Sequence, residues 1–218
     1  MKAAASRAST LIGCAGMMAV ALVTVSTAHA NLVENGGFET GSFFGWAPTT
    51  ALGACQSVGM NAPSACTGAE ADLDSGPHSG SYAAYLGQPY PSNPGLLAQN
   101  IPTAPGQVYT LDFWLANLSN QGASIPNGFQ VSWNGTTVVS FQDSPPFGYR
   151  QFTIPGLIAT DTTTTLLFSE YHVPAGFVLD DVSVTASVTQ VPEPGVAVLL
   201  GIGLAGVAGL RIGRYRHI

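Results

Sequence analysis

Between residues 31 and 190 this chain has no lysine and one arginine, Arg150. The same stretch holds eleven carboxylates: Glu34, Glu39, Glu70, Asp72, Asp74, Asp112, Asp143, Asp161, Glu170, Asp180 and Asp181. Eleven acids against one base give a net charge of about −10, more extreme than the −6 of the whole chain. Such a segment repels nucleic acid and anionic lipid headgroups and attracts cations. For most of these acids, solubility alone is a sufficient role. Cysteine is scarce too, at three residues. Cys55 and Cys66 with His78 do not make a zinc-ligand spacing. The chain contains no H-E-x-x-H, no G-x-S-x-G and no plausible cysteine nucleophile, so a non-enzymatic protein is expected. His78 and His172 are isolated and read as surface or loop histidines. Glu70, Asp72 and Asp74 could pair for glycoside hydrolysis, but any acidic chain offers such pairs.

Long apolar runs occur only at the two ends. At the start, Lys2 and Arg7 precede an apolar run over 11–25, and Ala28-His29-Ala30 is an A-x-A cleavage site. This reads as a secretory signal peptide over 1–30, removed after Ala30. A rival is Leu11-Ile12-Gly13-Cys14, which resembles a lipoprotein box but leaves most of the apolar run after the cut. At the other end come Pro192-Glu193-Pro194, an apolar stretch over 195–212, and a basic end with Arg211, Arg214 and Arg216. As a helix at about 1.5 Å per residue, 195–212 spans roughly 27 Å, close to a bilayer core. The arginines place the last residues, 213–218, on the cytoplasmic side. This order resembles the PEP-CTERM sorting signal of Gram-negative bacteria, which implies an exosortase-type processing partner. The other reading is a plain membrane anchor with the prolines as a helix stop. Gly201, Gly203 and Gly206 fit G-x-G-x-x-G, but no acid follows and the chain ends 12 residues later. They read as a small-residue stripe rather than a nucleotide loop.

The exported segment has the size of one domain, over 31–187, followed by a linker over 188–194. In an oxidising compartment Cys55 and Cys66 are most simply a disulfide closing a short loop. It would contribute about 2–3 kcal/mol in the chain-entropy model. Glycine and proline punctuate the segment every eight to twelve residues, with threonine, valine and aromatics between them. Strands are predicted over 32–39, 42–47, 81–86, 96–101, 108–116, 129–133, 136–141, 149–154, 163–169 and 177–186. Asn134-Gly135 is a two-residue hairpin turn, because both positions need positive φ. The stretch 108–115 reads as a nearly fully buried central strand. Ten short strands argue for an all-β, two-sheet sandwich.

Several motifs then recur in a telling order: Asn35-Gly36-Gly37-Phe38-Glu39 with Gly45-Trp46, His78-Ser79-Gly80-Ser81-Tyr82, Leu111-Asp112-Phe113-Trp114, and Leu179-Asp180-Asp181-Val182. The series resembles the galactose-binding-like jelly rolls of carbohydrate-binding modules and of many exported PEP-CTERM proteins. That resemblance implies a single jelly-roll sandwich with a structural calcium held near the first and last strands, by Glu39 and Asp180. With period two, Val182 and Val184 point inward, so Asp180 also points inward and Asp181 outward. An inward carboxylate needs a partner: calcium with its oxygen ligands, or backbone amides. Asp72, Asp74 and the carbonyls of 78–80 are further ligand candidates. Glycan contact needs exposed aromatics beside polar groups; the candidates are Tyr90, Trp133, Tyr149 and Tyr171, with His172 beside the last. Trp46 and Trp114 read as core. The expectation is an exported cell-surface or extracellular-matrix protein, membrane-anchored or released, that associates with polysaccharide and not with nucleic acid. The alternative is a structural or adhesive surface protein with no sugar site.

Overall fold

The computed structural model describes residues 30–48, 56–62, 76–88, 92–118, 126–172 and 175–187. The expected signal peptide up to residue 29, Cys55 and Cys66, Glu70, Asp72, Asp74, Tyr90, the Pro-Glu-Pro box and the apolar tail with its arginines lie outside those residues. The described residues form ten strands in two sheets, and every pairing is antiparallel. In chain order they are β1 (Ala47–Pro48), β2 (Ser57–Gly59), β3 (Ala83–Leu86), β4 (Gly95–Pro102), β5 (Val108–Asn117), β6 (Asn127–Trp133), β7 (Thr136–Gln142), β8 (Phe147–Ile158), β9 (Thr163–His172) and β10 (Phe177–Ala186). The first sheet runs β1-β4-β9-β6-β7 and the second β2-β3-β10-β5-β8. The chain is therefore an all-β, two-sheet sandwich.

Alternation drives the layers together. On β5, Tyr109, Leu111, Phe113 and Leu115 are buried while the residues between them are half-exposed. On β6, Phe129, Val131 and Trp133 face the same interior, as Leu166 and Phe168 do from β9. Phenylalanine rings fill the interior: within the second sheet Phe113 stacks on Phe152 at 5.0 Å, and between the sheets Phe113 meets Phe168 edge-on at 5.5 Å and Phe129 packs on Phe177 at 5.1 Å. Such pairs add stability beyond the apolar area they bury. Asn134 and Gly135 turn the β6–β7 hairpin with φ of 48° and 78°, as the dipeptide requires.

Three expectations change. Residues 32–46 hold no strand; they are a run of turns with Asn35 and Phe38 at φ of 51° and 57°. The Asn-Gly-Gly step favours turns over extended backbone. Trp114 is not core: it lies half-exposed on the outer face of the second sheet, under the ring of His78. Asp180 does not share a face with Val182. Asp180 pairs with Trp114 and Ser183 pairs with Asp112, so Asp181 is an extra, bulged residue at φ 50°. A bulge resets the period, which puts Asp180 on the outer face while Val182 stays inside.

Candidate functional site

Two places gather polar side chains from distant parts of the chain. The first is the junction of the opening turns, residues 78–82 and the β10 bulge. Asp180 is fully buried there, beneath residues 78 and 79. Its Oδ2 accepts the amides of His78 (2.8 Å) and Ser79 (3.1 Å), and its Oδ1 accepts the amide of Asp181 (2.8 Å). Burial nevertheless outweighs these donors and pushes its carboxyl up to about 6. Asp181 accepts from Ser79 Oγ at 2.7 Å and pairs with His78 Nδ1 at 2.7 Å. The His78 ring stacks on Trp114 at 3.8 Å, and Tyr149 meets it edge-on at 5.1 Å. Glu39 accepts the amides of Ser81 and Tyr82 at 2.9 and 3.0 Å.

The calcium expectation can be weighed against this donor set. Glu39 and Asp180 flank Gly37: a Cβ built on that glycine would stand 3.8 Å from Glu39 Cγ and 3.9 Å from Asp180 Oδ1. Hard carboxylate oxygens at one junction suit calcium in kind. Both carboxylates already take amide donors, however. Among the described residues, no three His, Cys, Asp or Glu side chains converge on a common metal position. A cation here would draw most of its ligands from backbone carbonyls.

The second place is the outer face of the first sheet. Phe129 and Val131 face the core, so Gly128 and Gln130 lie on the outer face, Gln130 exposed and Gly128 covered. Register sets Tyr171 and Gln142 on either side of Gly128, and Ser169 and Ser140 on either side of Gln130. Tyr171 lies down across Gly128: a Cβ there would stand 2.3 Å from the tyrosine ring. Gln142 Nε2 donates to the Tyr171 hydroxyl at 3.2 Å, which fixes the ring's far end. The result is a half-buried aromatic plate bordered by two amides and two hydroxyls, over a hollow of about 200 Å³. Along β9 the same face continues to Leu167 and Thr165, which pair with Ala98 and Asn100. Ala98 and Asn100 line a second hollow, of about 610 Å³, at the β1 end of the sheet beside Glu34 and Trp46.

Beneath the plate the inner face is polar at this end. Glu170 turns inward and is almost fully buried; its Oε2 accepts the Gln88 amide at 3.1 Å and its Oε1 has no hydrogen-bond partner among the described residues. Burial pushes this carboxyl up to about 7, against the lowering effect of the Gln88 amide. His172, also buried, holds Asn117 Oδ1 through Nε2 at 2.8 Å. The Asn117 amide nitrogen already donates to Ser144 and Pro145, so its oxygen is the acceptor and His172 carries its proton on Nε2. Burial lowers His172 to about 4, so it is neutral.

Of the glycan-contact candidates, Tyr171 lies on this outer face. Trp133 does not: it is in the core, packed on Tyr109 at 5.8 Å with its indole N–H donating to Ile158 O at 3.0 Å. It shares a parity with Phe129 and Val131, so it cannot offer a ring face to a ligand. Tyr149 is on β8 in the opposite sheet, and its hydroxyl donates to Gly76 O at 2.8 Å. His172 is internal. Sequence reading missed Gln130, Ser140, Gln142 and Ser169; the alternation of Gln130 between Phe129 and Val131 was the available signal.

No protein-family model matches the chain, and no curated protein matches it. Among solved structures it is similar to a family 61 carbohydrate-binding module in complex with β-1,4-galactotriose, at 21% identity and a TM-score of 0.49, covering 72% of this chain and 99% of that one. It is similar to the enzymatically active domain of a bacteriophage CBA120 tailspike protein, at 15% identity and a TM-score of 0.49, covering 72% of this chain and 21% of that one. It is also similar to a family 22 xylan-binding domain from Paenibacillus barcinonensis, at 13% identity and a TM-score of 0.46, covering 74% and 97%.

Proposed function

We propose that this chain is a non-catalytic glycan-binding protein of the bacterial cell surface or extracellular matrix, and that the outer face of its first sheet takes an uncharged polysaccharide chain. One observation carries the reading: the Tyr171 ring seated over Gly128 and flanked by Gln130, Gln142, Ser140 and Ser169. A sugar ring offers an apolar C–H face and a rim of hydroxyls. An aromatic plate receives the first, and amides and hydroxyls receive the second. No base lines either hollow, so a uronic-acid or sulfated polymer has no counter-charge there and meets a strongly acidic domain. Two hollows along one face suit a chain of several units rather than one sugar.

Export by the N-terminal signal and sorting by an exosortase acting at Pro192-Glu193-Pro194 complete the proposal. Calcium at Glu39 and Asp180 belongs to it as a structural rather than a ligand-binding ion. The test is retention of the full chain on immobilised neutral and uronic-acid polysaccharides. Neutral polymers should retain wild type, and Tyr171→Ala should bind about tenfold more weakly, equivalent to about 1.4 kcal/mol. Tyr149→Phe should bind as wild type. Retention by no polysaccharide would leave a structural or adhesive surface protein as the reading.

A further inference from the structure

We propose that β7 is a pairing edge for a second copy of this chain, joining two first sheets into one continuous antiparallel sheet. An edge strand presents unpaired N–H and C=O groups, and proteins that stay monomeric blunt such edges. Among the described residues the two sheets end in β1, β2, β7 and β8, and three of these are blunted. β1 has two residues, one of them Pro48, and β2 has three. β8 carries Arg150, Pro155, a left-handed Gly156 and two breaks in its register with β5. β7 is Thr-Thr-Val-Val-Ser-Phe-Gln over seven residues, with no charge, no proline and no glycine. These residue types favour extended backbone. Its one irregularity, at Val138, leaves Val139 to Gln142 in unbroken register with β6.

Charge decides the occupant. Two copies of a domain near −10 repel each other over most of their surfaces. The β7 flank is the least acidic edge: the strand itself is uncharged, Asp143 just past its end is exposed, and Arg150, the only base of residues 31–190, lies on the same side over the Phe147 ring at 4.6 Å. Val139 and Phe141 are only partly buried there, and Phe141 packs on Phe147 and Phe152 across the sandwich. A two-fold axis through the edge, normal to the sheet, covers these side chains with their own copies. It also keeps Ser140 and Gln142 on the outer face in both protomers. The sugar-facing surface, which ends on Ser140 and Gln142 in one copy, then runs on into the second. That doubling rests on the glycan reading; the pairing does not.

The test needs no glycan. Sedimentation velocity of the full chain in detergent, over about 1–100 µM, is expected to show a monomer–dimer equilibrium for wild type and Ser140→Thr, and monomer for Ser140→Lys with the melting temperature that wild type has at the dilute end of the range. Ser140 is exposed, so lysine there leaves the fold intact while placing two cations at the axis. Hydrogen exchange at residues 139–142 is expected to slow as wild-type concentration rises. A wild type monomeric throughout that range, an equal dimer in Ser140→Lys, or concentration-independent exchange would overturn the proposal. Dimerisation without polysaccharide retention would sink the glycan reading and leave the pairing standing.

Discussion

Gly128 carries no side chain, and that absence lets the Tyr171 ring pass close over the strand. Gly128→Ala is expected to lift the ring and cost about 1–3 kcal/mol, because the 2.3 Å approach leaves no room for a methyl group. Denaturant midpoints would measure the cost, and near-ultraviolet circular dichroism the displaced tyrosine. Glu170 sets a second residue-scale balance. Its carboxyl rises from 4.5 to about 7 in the folded chain, with burial as the cause. Between those values the folded state holds a proton that the unfolded state has released, so stability falls as pH rises through the window. Glu170→Gln removes the charge that must be buried. It should stabilise the protein above pH 7, by up to about 3 kcal/mol, and change little at pH 4. Unfolding free energies at pH 5 and pH 8 check both the sign and the window.

At the scale of elements, the β10 bulge organises one side of the sandwich. Asp180 points out of the sheet and is roofed by the amides of residues 78 and 79; Asp181 reaches the His78 ring and the Ser79 hydroxyl. The His78–Trp114 stack presses the same segment down. Side chains and amides from three separated stretches therefore lock each other without a covalent link. Added calcium is expected to raise the melting temperature of wild type and to leave Asp180→Asn unmoved. At 100 times the dissociation constant, linkage predicts about 2.7 kcal/mol. A wild-type melting temperature independent of calcium and of chelator would mean that the amide donors are the complete partner set of Asp180 and Glu39.

For the whole molecule, three buried groups and the net charge combine. Glu170 and Asp180 are raised to about 7 and about 6, and each loses stability as pH climbs to those values. His172 is lowered to about 4, so its contribution runs the other way and is lost as pH falls below its ordinary 6.5. Two raised carboxyls outweigh one lowered imidazole, and ionising the acids adds to the self-repulsion of an already acidic domain. Without calcium, stability should therefore fall by about 3 kcal/mol between pH 4.5 and pH 7. A series of denaturant titrations across that range tests this, and a flat or rising profile would contradict it.

Much of this architecture was legible in the sequence. Local residues decide the Asn134-Gly135 turn, the alternation along β5, the burial of Trp46 and the acidity of the surface, so each could be read in place. The tertiary structure alone decided which face the others occupy. A single bulge at Asp181 moved Asp180 from the expected inner face to the outer one; the core place of Trp133, by contrast, follows from its parity with Phe129 and Val131, which the sequence itself displays. The plate of Tyr171 over Gly128 exists only because β6 and β9 pair in one register. Side-chain direction in a strand has a period of two, so a shift of one residue reverses it. That shift is set by hydrogen-bond pairing between distant strands, which no local window of sequence contains.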